Sequence, residues 1–140
     1  MREYRGKTKE EGEWVYGSLL IDRGTYYVID PDAVRVRGQK SAVFEVIPKT
    51  VGQWTGDRDT NYNKIYEGMI LKCTDRHGGE KTGEYLSEVY FEDSTYLVEN
   101  YAGTQAPVVI YTGDWTGFCE IKGNTYDNPE LMEEIKNERV

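Results

Sequence analysis

Side chains that commonly carry chemistry are sparse in this chain. One histidine, His77, two cysteines, Cys73 and Cys119, and four serines stand among 140 residues. Nucleophilic catalysis needs a nucleophile, a base and a group that orients the base. His77 lies in Asp75-Arg76-His77-Gly78-Gly79, which reads as an exposed hairpin tip. Cys73 is four positions earlier, across a strand-to-turn transition, and that spacing makes no dyad. Two cysteines and one histidine fall short of the four ligands of a structural zinc site, so no metal and no cofactor is expected. The cysteines read as two reduced, partly buried thiols in a chain long enough to fold without a staple. Gly78-Gly79-Glu80-Lys81-Thr82 lacks both a glycine before Lys81 and a following helix pattern, so it is no phosphate loop. Paired carboxylates stay open, because twenty-five acids offer many pairs; Glu67 and Asp57 are two with nothing to single them out. A small enzyme with a carboxylate-lined pocket is the least favoured of three functional readings.

Binding residues are better represented. From Thr82 to Ile121 there is no Lys or Arg, and Glu84, Glu88, Glu92, Asp93, Glu99, Asp114 and Glu120 supply seven of the eight net negative charges. Such a run either keeps sheet edges from associating or presents an acidic surface to a basic protein. Glu84, Glu88, Glu92 and Asp93 are the candidate partner-binding residues, and a basic protein is the kind of partner they fit. Trp14, Tyr16 and Trp54 form the candidate aromatic platform on which a single-stranded nucleic acid could stack, although most aromatics of a small β-protein fill its core. The net charge of −8 opposes double-stranded nucleic acid and anionic membranes. No apolar run approaches the 18 residues of a membrane span. Met1 to Glu13 carries eight charges and no apolar signal core, so a soluble intracellular protein is expected.

The elements that would position these residues are strands. Val, Ile, Thr, Tyr, Phe and Trp total 50, against 13 for Ala, Leu and Met, an imbalance that points to a mainly β body. Turn signals delimit candidate strands at 14–21, 25–29, 33–37, 42–47, 69–74, 84–91, 95–101, 107–112 and 118–122. Val34-Arg35-Val36-Arg37 alternates and should wet one face, whereas Leu19-Leu20-Ile21 does not alternate and suits cover on both sides. The end alone reads as helix, over 129–138. Asn128 stands at the N-cap, Pro129 at the first helical position, and Leu131, Met132 and Ile135 form a stripe. The chain is expected to be a single β-rich domain over 1–140, divisible into N-terminal strands over 1–49 and a second lobe over 50–127 before the helix.

Three segments carry a family resemblance. The first is Tyr4-Arg5-Gly6-Lys7 followed by Gly12-Glu13-Trp14-Val15-Tyr16-Gly17-Ser18-Leu19. The second is Thr50-Val51-Gly52-Gln53-Trp54-Thr55-Gly56, then Lys64-Ile65-Tyr66-Glu67-Gly68-Met69-Ile70, and the third is Gly123-Asn124-Thr125-Tyr126-Asp127-Asn128-Pro129-Glu130-Leu131. In order and spacing they resemble the YopX-like family of phage and prophage proteins of Gram-positive bacteria. The resemblance implies a mainly β fold with a small SH3-like barrel, additional N-terminal strands and a short C-terminal helix. It implies residence in the cytoplasm of a bacterial host and no particular activity. Met69 stands where the family commonly has Asp. The favoured reading is a non-enzymatic module that binds a protein partner, the alternative a single-strand nucleic-acid binder; a homo-oligomer is compatible with both. If the turns at 52–56 and 65–68 shape a barrel, Gly52, Gly56 or Gly68 should adopt positive φ.

Overall fold

The computed structural model describes residues 2–37, 41–77, 80–92, 94–99, 105–107 and 119–138. The protein is mainly β and divides into two compact units, Met1–Trp54 and Thr55–Val140. In the first, β1 (Tyr4–Lys7), β2 (Trp14–Asp22), β3 (Thr25–Ile29) and β4 (Val43–Glu45) form an antiparallel sheet with the start of β5 (Gly52–Arg58), in the order β4-β3-β2-β1-β5. The β2–β3 hairpin closes on Arg23 and Gly24, at φ 51° and 84°. Two successive positive φ values make a turn whose twist matches that of the strands, and they set the register Asp22 to Thr25. One face of the sheet buries Val15, Val28 and Val46 with Ala33, and Tyr26, Phe44 and Val51 pack against them.

Residues 33–37 were expected to be a strand and are helical instead, in α1 (Pro31–Arg37). Asp30 decides this. Its Oδ1 accepts the N–H groups of Asp32 and Ala33, each at 3.1 Å, which caps the first turn, and Pro31 carries the backbone angle of a first helical position. Four alternating residues are too short a pattern to outweigh a cap that also holds the sheet: Asp30 Oδ2 accepts Tyr16 N–H at 2.8 Å.

The second unit continues β5 and adds β6 (Lys64–Tyr66), β7 (Met69–His77), β8 (Glu80–Glu88), β9 (Tyr90–Glu92), β10 (Thr95–Glu99), β11 (Gln105–Pro107), β12 (Cys119–Asn124) and α2 (Pro129–Glu138). Its sheets run β12-β7-β8 and β11-β10-β9. The single strand expected over 84–91 is interrupted at Val89, whose N–H donates to Met69 O and whose carbonyl accepts Gly68 N–H. The strand expected over 107–112 meets β11 only at Pro107, and its remaining residues, 108–112, lie outside the described ones. The sheets are open, and among the described residues no SH3-like barrel closes. The charged β1 and the glycine-bounded β5 and β6 had no strand signal of their own. Gly56 and Gly68 have φ of 92° and 88°, whereas Gly52 sits in β5 at an ordinary strand angle.

Helix α2 spans the expected residues and packs on β8 and β12. Asn128 precedes it, but its Oδ1 does not cap the helix. It accepts Asn124 N–H at 3.1 Å, while Asn124 Oδ1 takes the N–H groups of Tyr126 and Asp127. The 123–128 turn is a knot of side-chain carboxamides that aims α2 back over the sheet.

Candidate functional site

Residues directly opposite in an antiparallel ladder share a face, as do residues two apart along a strand. Lys7 opposes Trp14, while Arg5 opposes both Tyr16 and Gly52. Trp54, two beyond Gly52, is fixed by its N–H donating to Glu3 O at 2.8 Å. The expected platform residues Trp14, Tyr16 and Trp54 therefore stand on one face of the N-terminal sheet, opposite its core. The face continues outward, since Ser18 opposes Ile29, Leu20 opposes Tyr27, and Ile29 opposes Val43. Tyr16 is 42% exposed, and Leu20 and Val43 are each 46% exposed.

Leu20 and Val43 carry no chemistry that sequence reading would single out. The run 19–21 was expected to be covered on both faces, but Leu20 and Ile21 lie near the hairpin end, Ile21 at 51% exposure. Alternation through Trp14, Tyr16, Ser18 and Leu20 was the available signal, and it could be assigned to a face only once the β2–β3 register was known. Trp14 is less of a platform than its type suggests. The Arg5 guanidinium lies 3.8 Å from its ring centre, and Lys7 Nζ lies at 5.8 Å. Arg5, only 4% exposed, occupies one face of the indole as a cation–π contact.

The acidic candidates are spread over two sheets. Glu84 and Glu88 share a face of β8, whereas Glu92 is on β9 in the other three-stranded sheet, and Asp93 lies outside the described residues. Glu84 faces Lys72 at 3.8 Å, and Lys72 also meets Glu120 at 3.9 Å. Glu88 is half-buried, and desolvation, assisted by the charge of Glu67, raises its carboxyl above the ordinary range. Desolvation alone raises Asp57. Between α2 and its sheet lies a surface cleft of about 400 Å³, lined by Lys72, Lys122, Glu84, Glu134, Leu86 and Leu131 among others. These opposite charges can orient a polar group, but the lining holds no serine, cysteine or histidine. Among the described residues no three His, Cys, Asp or Glu side chains are grouped to hold a metal. No described helix is long and apolar enough to cross a membrane.

The described residues define a small, mainly β protein of open antiparallel sheets with a short C-terminal helix and an exposed aromatic and aliphatic sheet face. The family model described as YopX protein matches residues 3–133, and the chain belongs to that family. Two crystal structures are similar in fold. Protein EF1440 from Enterococcus faecalis is 18% identical at a TM-score of 0.55, over 94% of this chain and 98% of its own. Protein yopX from Bacillus subtilis is 20% identical at 0.55, over 92% and 96%. No curated protein matches the chain.

The segments that carry the family resemblance have structural tasks. A Cβ on Gly17 would collide with the Ile29 carbonyl, and one on Gly123 with Asn128 Oδ1. Thr50 Oγ1 accepts Lys7 N–H at 2.9 Å and donates to Ile47 O, tying the first segment to the second. Gly68 O accepts Thr125 N–H at 2.9 Å, tying the second to the third. At position 69, Met69 Sδ accepts Tyr66 N–H at 3.3 Å, an acceptor's place that an acid could also fill.

Proposed function

We propose that the chain is a non-enzymatic binding module that docks a protein partner, inside a bacterial host cell, on the outward face of its N-terminal sheet. The observation that carries this reading is the contiguous exposure of Tyr16, Leu20 and Val43 beside Tyr27 and Ile29. Contiguous apolar surface on a small protein usually marks an interaction site. Charge supports a basic partner. Through Trp54 the chain holds nine basic and eight acidic residues, net +1, whereas from Thr55 onward it holds eight and seventeen, net −9. The acids steer encounter, and the apolar face supplies the burial. Capture from a Gram-positive lysate by wild type and by a Tyr16→Ser, Leu20→Ser double variant is the test. A specific partner should be retained by the wild type and lost by the variant; equal capture by both would sink the reading.

A second reading rests on Trp14, Tyr16 and Trp54 sharing their face with Arg5 and Lys7, the aromatic and basic pairing that single strands require. Arg5 over Trp14 weighs against it, because that ring face is taken. Fluorescence anisotropy with a labelled oligonucleotide at low salt discriminates, since phosphate contacts are strongest there. No binding under those conditions removes the alternative.

A further inference from the structure

Cys73 and Cys119 are separated by 46 positions and stand directly opposite each other across β7 and β12. Both are buried, at 2% and 4% exposure, and the Cys119 thiol donates to Cys73 Sγ at 3.6 Å. A disulfide needs about 2.0 Å between the sulfurs, so bond formation asks for a closure of roughly 1.6 Å along a contact that already exists. Cys119 opens β12, which among the described residues is an edge strand of its sheet. Contacts with a loop hold that strand's outer side, through Thr60 N–H to Cys119 O at 3.0 Å and Ile121 N–H to Asp59 Oδ2 at 3.1 Å.

We propose that Cys73 and Cys119 are an oxidisable pair, which a low-molecular-weight disulfide converts into a cross-strand disulfide fastening β12 to β7. The hydrogen bond to Cys73, burial, and the nearby charges of Cys73 and Asp59 all push the Cys119 thiol far above its ordinary range, so the closed strand keeps it protonated and unreactive. Edge strands open locally at lower cost than central ones, and opening at Cys119 restores an ordinary thiol. That thiol loses its proton, and its sulfur attacks the small disulfide, forming a mixed disulfide and expelling one thiolate. Cys73 then loses its proton and attacks the protein-side sulfur, expelling the second thiolate. Two cysteine thiols are oxidised by two electrons, the small disulfide is reduced to two thiols, and these take up the two protons. The product closes a 46-position loop, limits the unfolded chain and locks the sheet edge.

The test is incubation of the native full chain with excess oxidised glutathione at mildly alkaline pH, then denaturation in N-ethylmaleimide and intact-mass measurement. The expected product is a monomer lighter by two hydrogens, without maleimide, yielding a 73–119 linked peptide and melting higher until dithiothreitol is added. Cys73→Ser should stop at the mixed glutathione disulfide. Two maleimide-labelled thiols, a persistent glutathione adduct on the wild type, or a disulfide-linked dimer would each overturn the proposal. The pair lies within the second unit, so these outcomes are independent of partner docking.

Discussion

Asp59 is 1% exposed, yet its carboxylate accepts three backbone N–H groups, from Asn61, Asn63 and Ile121 at 2.9 to 3.1 Å. Those bonds shape the 59–63 loop and hold the start of β12. Asp59→Ala strands three donors around a cavity and should cost about 3 kcal/mol or more in urea unfolding; a cost below about 1 kcal/mol would mean water replaces the carboxylate freely. Glu88 predicts the opposite sign. Its folded pKa lies above the unfolded one, so its contribution is fully present below the unfolded value and is lost as pH rises through the folded value. Glu88→Gln keeps the shape without the charge. Its melting temperature should exceed wild type at neutral pH, with the advantage disappearing in acid below the ordinary glutamate range. Destabilisation at neutral pH would assign Glu88 a favourable partner instead.

The elements show where sequence was legible. The β2–β3 hairpin was readable because Asp22-Arg23-Gly24 is a local turn signal, and α2 because Pro129 and its apolar stripe are local too. Helix α1 was missed because its signal is one capping carboxylate, Asp30, which a short alternating run disguised. Asp30→Ala should destabilise by about 1 to 2 kcal/mol, from the lost cap, and should speed amide exchange at Asp32, Ala33 and Tyr16 together. Protection unchanged at Tyr16 would disconnect cap from sheet. Gly123 makes the corresponding test of the 123–128 knot. A methyl there meets Asn128 Oδ1, with Leu131 Cδ1 at 3.1 Å, so Gly123→Ala should cost about 1 to 3 kcal/mol through overpacking. An unaltered denaturation midpoint would show that the turn can give way. The aromatic platform was legible as residue types, but its completion by Leu20 and Val43 depended on register between strands, which no local pattern specifies.

At the scale of the molecule, the net negative charge and the proposed docking face belong to different units. The acidic excess belongs to the unit after Trp54, and the exposed aliphatic and aromatic face belongs to the unit before it. A partner steered by charge and held by burial should therefore associate more slowly as salt rises, with its dissociation rate changing little. Stopped-flow measurement in a salt series checks this, and a dissociation rate that tracks salt would place the charges inside the interface. The most direct measurement is site-specific photo-crosslinking in bacterial lysate, with the photoreactive residue placed in turn at Leu20, Val43, Glu84 and Glu133. One common partner adduct at Leu20 and Val43, absent at Glu133, is the predicted result. Adducts confined to Glu84, or none at Leu20 and Val43, would contradict docking on the N-terminal sheet.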